Sequence, residues 1–335
     1  MTDVVAPQAG DRITLSGSDV AVPPLGVGTW AWGDKGTWGM GGYDRSYDEA
    51  TIRDAWQACI EAGVVLFDTA EVYGGGESER IIGRLLAADP PVREKVVIAT
   101  KFMPLPWKLA VTSALRRSAR ASLERLGIDS IDLYQIHGPI SLRSHGALAD
   151  ALAAAHAEGL IKAVGVSNYS VKETRSMDAA LRKRDLRLAT NQIELSLLRT
   201  MPEKVGLLAC CRELGVRPLA YSPIGQGRLT GKYSAANPPP KARDFSAHPM
   251  AEVDKVVDVL RRIGVAHGGR TPSQVALAWI IAKGAIPIPG AKNRHQAEDN
   301  AGALGWRMDD AELAELDAVA FYGMRTLNQR LWQHG

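Results

Sequence analysis

The sequence predicts a closed (β/α)8 barrel of the TIM type, with an N-terminal β-hairpin and extra helices. Three observations predict it. Eight short apolar runs, rich in β-branched residues, recur along the chain. Each run is followed by a stretch with the 3.6-residue apolar periodicity of a helix. The composition shows no sharp break, so we expect one domain over residues 1–335, with tails at 1–12 and 321–335.

Each predicted element has an ordinary length and recognisable ends. The predicted strands, one to eight, are 25–29, 64–69, 96–101, 131–137, 163–167, 189–194, 217–222 and 285–289. The predicted helices are 48–62, 77–88, 112–126, 146–158, 170–184, 202–214, 295–302 and 310–319, with two more at the seventh position of the barrel. Glycines such as Gly127, Gly159 and Gly215 end three of these helices.

Three predicted loops are too long to be simple connections. They cover 30–47, 102–110 and 233–248, and each follows the C-terminal end of a strand. Long loops of this kind in compact domains are usually functional or disordered. Residues 12–22, with Gly17 in the middle, predict a hairpin that plugs the opposite end of the barrel.

Composition excludes several classes of function. A net charge of +3 is too small to predict nucleic-acid or membrane binding, and no apolar run reaches the length of a membrane span. The first twenty residues lack a secretory signal, which predicts a cytoplasmic protein. The cysteines Cys59, Cys210 and Cys211 do not suggest disulfides, and no metal-binding spacing occurs. The oligomeric state remains open.

Four polar residues follow or end the second, third and fourth predicted strands: Asp68, Tyr73, Lys101 and His137. The C-terminal strand ends of a parallel barrel converge on one face. A lysine beside a tyrosine lowers the pKa of the phenol, and a carboxylate holds the lysine charged. A histidine adds a hydrogen-bond donor for the substrate oxygen. Together these residues predict a general acid that protonates a carbonyl oxygen.

Three of these four residues also have a structural interpretation. Asp68 resembles a helix cap, Tyr73 a surface loop residue beside glycines, and His137 a hydrogen-bonded structural histidine. Their joint occurrence at three neighbouring strand ends favours the catalytic interpretation.

Reduction of a carbonyl also needs a hydride source, which side chains cannot supply. Ser167, Asn168 and Gln192, on the fifth and sixth strands, offer amide and hydroxyl partners for a carboxamide. Tyr221, at the end of the seventh strand, offers an aromatic face for a nicotinamide ring. The alternative is that the amides satisfy buried backbone groups and Tyr221 fills the core.

A phosphate site is predicted after the seventh and eighth strands, where barrels commonly bind phosphate. The segment 222–232 is rich in glycine and ends in a lysine, and Lys292 and Arg294 lead into a helix. Either of these basic residues suits a 2′-phosphate, although both also suit a solvated loop. No GxGxxG follows a strand, so a Rossmann site is not predicted.

These motifs resemble those of the aldo-keto reductase superfamily. The resemblance rests on Asp-Thr-Ala-x-x-Tyr-Gly at 68–74, Thr-Lys at 100–101, Leu-Tyr-Gln-x-His at 133–137, Gly-Val-Ser-Asn at 165–168, Asn-Gln at 191–192, Tyr-Ser-Pro-Ile-Gly at 221–225 and Ile-Pro-Gly-Ala at 288–291. It covers about residues 13–316 and implies NADPH-dependent reduction of aldehydes and ketones, with Tyr73 as the acid.

The stretch 222–232 resembles the branch that contains potassium-channel β subunits and bacterial aldo-keto reductases. That resemblance implies that Lys232 and Arg243 approach the cofactor phosphates, and that Gln296 and Asn300 approach the adenine. The other positions that we assign to the NADPH site are Thr29, Trp30, Ser222, Pro223, Ile224, Gln226, Gly227 and Gly290.

The sequence therefore predicts an NADPH-dependent reductase of a small carbonyl compound. We expect Trp30, Trp32 and Trp107 to wall the substrate pocket, and Met324 or Trp332 in the tail to close its remaining side. Two alternatives stay open. One is an NADPH-binding sensor or regulatory subunit with little turnover, and the other is an alcohol or sugar dehydrogenase working in the reverse direction.

Overall fold

Eight parallel strands form the barrel that the sequence predicts. The computed structural model describes residues 6–33, 48–239, 248–323 and 327–335. The predicted strands one to eight correspond to β3 Gly26–Gly28, β4 Leu66–Asp68, β5 Val97–Phe102, β6 Ile131–Ile136, β7 Ile161–Ser167, β8 Leu188–Glu194, β9 Arg217–Tyr221 and β10 Ile286–Pro287. Each strand pairs in parallel with the next along the chain.

Two glycines close the barrel between its first and last strands. Gly28 and Gly290 form an isolated parallel bridge, and the amide of Gly28 donates to the carbonyl of Pro289 at 2.9 Å. A Cβ on Gly28 would lie 2.9 Å from the carbonyl oxygen of Ile288. Because no side chain fits there, glycine allows the two backbones to approach closely enough to close the sheet.

Helices surround the strands in the predicted order. Within the described ranges they are α1 Glu49–Glu61, α2 Glu77–Ala88, α3 Val111–Leu126, α4 His145–Ala157, α5 Val171–Arg182, α6 Met201–Lys204, α7 Leu207–Leu214, α8 Met250–Ala266, α9 Pro272–Ala282, α10 Arg294–Ala301, α11 Asp310–Val319 and α12 Leu327–Trp332. None of them is long and apolar enough to span a membrane.

The structure differs from the predicted helices at two places. The single helix predicted at 202–214 is divided into α6 and α7, because Gly206 adopts a left-handed conformation with φ of 81°. The tail after residue 320, for which no secondary structure was predicted, contains α12. Its six residues are too few to show a clear periodicity.

The barrel interior is a packed apolar core that the N-terminal hairpin closes at one end. Inward side chains from the strands, among them Leu66, Leu133 and Leu219, form one buried cluster with Leu15 and Val22 of the hairpin. The hairpin strands are β1 Ile13–Thr14 and β2 Ala21–Val22. The predicted plug is thus confirmed, and the site described below lies at the other end of the strands.

Candidate active site

A buried ion pair stands at the centre of the polar end of the barrel. Lys101 on β5 is fully buried, and its ammonium group donates to Oδ2 of Asp68 at 2.5 Å and to the carbonyl of Thr69 at 2.7 Å. Burial by itself lowers the pKa of Lys101. The carboxylate of Asp68, and then Tyr73, raise it by more than burial lowers it, so the net shift is upward. Lys101 is therefore held in its charged form.

Asp68 is held from two sides. While Oδ2 accepts from Lys101, Oδ1 accepts from the side-chain amides of Gln135 at 3.1 Å and Gln192 at 2.7 Å. Both glutamines are buried. We predicted Gln192 as a partner of a carboxamide ligand. In the structure one N–H of its NH2 group bonds to Asp68, so the second N–H and the carbonyl oxygen remain for such a contact.

Tyr73 lies at the start of a short 3-10 turn, Tyr73–Gly76, that follows β4. Its hydroxyl accepts a hydrogen bond from Lys101 at 3.2 Å. Burial raises the pKa of Tyr73 more than the neighbouring Lys101 lowers it, although the side chain keeps some exposed surface. Lys101 lowers the pKa of Tyr73, as the sequence predicts, but desolvation is the larger effect, so the net shift is upward.

His137 follows β6 directly and packs edge-on against the ring of Tyr73, with 5.6 Å between ring centroids. Burial, and then the positive charge of Lys101, hold the pKa of His137 well below its ordinary value of 6.5. Its Nδ1 is buried and has no hydrogen-bond partner among the described residues. The imidazole is therefore neutral near pH 7, and Nδ1 forms no hydrogen bond within the described part of the chain.

The residues predicted to hold a nicotinamide lie together at the ends of β7, β8 and β9. The amide of Asn168 donates to the hydroxyl of Ser167 at 3.2 Å, and its carbonyl accepts from the hydroxyl of Tyr221 at 2.9 Å. Asn168 has a φ of 62°, in the left-handed region that residues other than glycine rarely adopt. Such strain persists where the surrounding structure imposes it, and it is frequent at functional sites.

The glycine-rich segment after β9 shows the same kind of strain. Ser222 has a φ of 50° and Gln226 a φ of 54°, and Gly227 is also left-handed. These residues lead into and begin a 3-10 turn, Gly225–Thr230, which follows Pro223 and Ile224. The side-chain oxygen of Gln226 is buried without a partner in the described part of the chain. A loop shaped in this way can receive the phosphates of a nucleotide.

The basic residues predicted near the phosphates occupy different positions. Lys292 is half-buried at the start of the segment before α10, whereas Lys232 is exposed. Arg294 was predicted to be available for a 2′-phosphate, but it donates to Glu61 at 2.8 Å and to Glu298 at 3.3 Å. Both contacts use Nη1, so the two carboxylates compete with a phosphate for the positive charge of Arg294. Arg243 lies outside the described residues.

The remaining predicted cofactor residues border β10 or β3. Gln296 accepts the backbone amide of Lys292 at 2.9 Å, and Asn300 donates to the carbonyl of Gly290 at 3.3 Å, so both hold the loop that precedes α10. Thr29 was predicted to contact the cofactor. Its hydroxyl is fully buried and bonds to Ser78 and to the carbonyl of Asp68, which gives it a structural role here.

The three predicted pocket tryptophans differ in burial. Trp30 is half-buried, with its ring centroid 6.5 Å from that of Tyr73. Trp107 is 73% exposed on the loop after β5. The prediction for Trp32 was wrong, because it is fully buried and donates to the carbonyl of Ala291 at 2.8 Å. Trp32 belongs to a buried apolar cluster and does not line an open pocket.

Residues of the tail reach the site, although the sequence prediction named only Trp332 and Met324. Trp332 packs edge-on against His137 at a centroid distance of 5.7 Å. Met324 lies outside the described residues. Gln333 contacts Tyr221 at the end of β9, and His334 contacts Glu173 on α5 and the backbone of Asn168; we did not predict either of them. No local pattern could have identified them, because their partners lie more than 100 residues away in sequence.

Comparison with known proteins identifies the family. The sequence model of the Aldo/keto reductase family matches residues 24–320, which is most of the chain. The chain belongs to the aldo/keto reductase family. It is therefore an oxidoreductase, and its barrel matches those of solved aldo-keto reductases.

Among similar proteins is the chloroplastic pyridoxal reductase of Arabidopsis thaliana, which is 36% identical over 94% of this chain and 87% of its own length. A 6-dehydroglucose reductase of Novosphingobium aromaticivorans is 32% identical over 92% of this chain and 95% of its own. An aldo-keto reductase from Klebsiella pneumoniae, solved in complex with NADPH, is 27% identical, with a TM-score of 0.69 over 90% of this chain and 92% of its own.

Proposed function

We propose that this aldo/keto reductase uses NADPH to reduce a small aldehyde or ketone to the alcohol, with Tyr73 as the proton donor. The observation that carries the proposal is the chain of contacts from Asp68 through Lys101 to the hydroxyl of Tyr73, at 2.5 Å and 3.2 Å, inside the polar end of the barrel. When bound, NADPH supplies the hydride that adds to the carbonyl carbon.

Residues of the chain suit such a cofactor. Asn168, Ser222 and Gln226 all have left-handed backbones on neighbouring loops, and the described residues contain four such non-glycine positions in all. A buried oxygen of Gln226 has no partner in the described part of the chain. The loop before α10 adds the cation of Lys292 close to a helix N-terminus. Support for NADPH also comes from the relative solved in complex with it.

Tyr73 delivers the proton in this proposal. Lys101 donates to a lone pair of the phenol oxygen, so the proton of the hydroxyl is left to point away from the lysine and toward a substrate. As that proton moves to the developing alkoxide, the phenolate that forms is stabilised by the adjacent ammonium group. The charge of Lys101, maintained by Asp68, thereby lowers the barrier to proton transfer.

His137 orients the substrate oxygen. Its pKa lies well below the ordinary range because of burial and the charge of Lys101, so it is a neutral donor and does not compete with Tyr73 as an acid. Its ring is 5.6 Å from that of Tyr73, so one carbonyl oxygen can meet both. Preorganised donors of this kind stabilise the charge that develops on oxygen.

The surroundings suit a small carbonyl compound with an apolar or ring-bearing part. Trp30 flanks Tyr73, and Trp332 flanks His137, so aromatic surface lies on either side of the two donors. The similarity to a pyridoxal reductase and to a 6-dehydroglucose reductase supports a substrate of this size. Reduction of pyridoxal or of a sugar aldehyde is the first activity to test.

The experiment is a panel of carbonyl compounds, with the oxidation of NADPH followed by its absorbance. We expect turnover with at least one small aldehyde, and faster turnover in the direction of reduction than with the matching alcohol and NADP⁺. Tight binding of NADPH without hydride transfer in a single turnover, across the panel, would instead identify a sensor and refute the proposal.

A further inference from the structure

The last four described residues, 332–335, lie across the polar end of the barrel, and we call them the tail segment. Trp332 covers His137, and a Cβ on Gly138 would lie 2.9 Å from the indole of Trp332. The next residue, Gln333, is only 3% exposed. The tail segment therefore packs as part of the site and does not extend away from the barrel.

Gln333 bridges two neighbouring barrel strands. Its Nε2 donates to Oε2 of Glu194 at 2.8 Å and to the hydroxyl of Tyr221 at 2.6 Å. Glu194 and Tyr221 are paired in register at the ends of β8 and β9. Tyr221 gives its own proton to Asn168, so its oxygen can accept from Gln333. The amide orientation is thus set by the partners, and it leaves Oε1 buried without a partner in the described part of the chain.

The same contacts continue to Asn168. Its side-chain oxygen accepts from Tyr221 at 2.9 Å, and its backbone oxygen accepts from the amides of His334 at 3.1 Å and Gly335 at 3.2 Å. The tail segment therefore holds Asn168 through both its side chain and its backbone. Asn168 is the residue whose left-handed backbone needs support from its surroundings.

Further contacts fix the tail segment itself. The guanidinium of Arg199, which is fully buried, donates to the carbonyl of Gly335 at 3.3 Å and lies 3.5 Å from Glu194. His334 places Nδ1 2.9 Å from a carboxylate oxygen of Glu173, near the N-terminus of α5. Since these contacts form on folding, the orientation of Tyr221 and Asn168 is set before any ligand binds. Such preorganisation increases affinity by reducing the entropy lost on binding.

We infer that Gln333 is a positioning residue for the nicotinamide end of the cofactor site. It acts through the hydroxyl of Tyr221, which fixes the plane of the aromatic ring and the direction of the Asn168 amide. The inference rests on the proposed function, because it takes Tyr221 and Asn168 as the groups that meet the nicotinamide. Gln333 itself need not touch the cofactor.

The test is a double-mutant cycle on NADPH binding, measured by quenching of tryptophan fluorescence. The variants are Gln333→Leu, Tyr221→Phe and their combination, with Leu331→Gln as a control because Leu331 is 64% exposed and lies only two residues before Gln333. We expect each single variant at the site to raise the Kd for NADPH about five- to tenfold. The Kd of the double variant should exceed the higher of the two single-variant Kd values by no more than about twofold, because both changes break the same contact. The control should remain within about twofold of the wild type.

Three results would overturn the inference. One is an unchanged Kd in Gln333→Leu, even with a lowered Tm, since that identifies a purely structural contact. Another is a Kd for the double variant whose fold-increase equals the product of the two single-variant increases, since that shows the two residues act independently. If Gln333→Leu does not fold, an unchanged Kd in Tyr221→Phe decides against the inference. A wild-type protein that binds no NADPH would be a different outcome, because it refutes the proposed function as well.

Discussion

Tyr73 receives a hydrogen bond from Lys101 and does not give one to it. The ammonium nitrogen lies 3.2 Å from the phenol oxygen and 2.5 Å from Asp68, so the lysine is tied to the carboxylate more closely than to the tyrosine. The direction of the hydrogen bond between Lys101 and Tyr73 is fixed because an ammonium group is only a donor. It stabilises the phenolate after proton transfer and leaves the proton of Tyr73 available beforehand.

The first prediction concerns this proton. Tyr73→Phe should lower kcat about 10²–10⁴-fold, the usual contribution of a positioned general acid, while the Kd for NADPH changes little. Tyr322→Phe is the matched control, because Tyr322 is 51% exposed and far along the chain from the motif. Steady-state kinetics and fluorescence titration measure the two quantities. A Tyr73→Phe enzyme with near-normal kcat would show that another group is the acid.

The second prediction concerns the stability of the buried ion pair. Lys101→Met should reduce the free energy of unfolding by about 3–5 kcal/mol, because it leaves the carboxylate of Asp68 buried without its counter-charge. Adding Asp68→Asn should recover part of that loss, since the double variant contains no uncompensated charge. Urea unfolding of Lys101→Met, of Asp68→Asn and of the double variant measures this. Strictly additive losses would contradict the coupling between the two residues.

The third prediction concerns pH. Burial and the charge of Lys101 depress the pKa of His137 in the folded state below the ordinary value of 6.5. As pH falls below about 6.5 the unfolded chain gains a proton there and the folded chain does not, so stability decreases until the folded pKa is reached. His137→Gln should flatten this part of the stability curve, whereas His156→Gln, at an exposed position, should keep it. An unchanged slope in His137→Gln would show that other groups cause the decrease.

The fourth prediction concerns cofactor preference. Lys292→Ala should weaken NADPH binding by about 1.5–3 kcal/mol and leave NADH binding almost unchanged, because only NADPH carries the 2′-phosphate. Arg294→Ala should have a smaller effect, since Arg294 is already paired with Glu61 and Glu298. Parallel titrations with both cofactors test this. Equal affinities of the wild type for NADPH and NADH would contradict the assignment of Lys292.

The fifth prediction separates the tryptophans by burial. Trp107→Ala should change the ratio of kcat/KM between an aromatic ketone and a small aldehyde and leave Tm unchanged, because Trp107 is 73% exposed on the loop after β5. Trp32→Ala should instead destabilise the fold by about 3–5 kcal/mol, the usual cost of removing a buried tryptophan, with little change in that ratio. If Trp32→Ala changed the kcat/KM ratio and Trp107→Ala did not, Trp32 and not Trp107 would line the substrate pocket.

The sequence by itself determined the barrel and the positions from which the site is built. Alternating apolar runs and helical periodicity depend on neighbours in the chain, so all eight strands and the hairpin could be predicted. Because the C-terminal ends of parallel strands share one face, Asp68, Lys101 and His137 were also expected to lie near one another.

Only the tertiary structure decided how the groups at that face pair. Arg294 meets Glu61 across 233 positions, Gln192 meets Asp68 across 124, and Gln333 meets Tyr221 across 112. Hydrogen bonds and desolvation act over a few ångströms in space, and local patterns in the chain carry no information about such distant partners. For the same reason the net upward shift in the pKa of Tyr73, and the burial of Trp32, could be recognised only in the folded molecule.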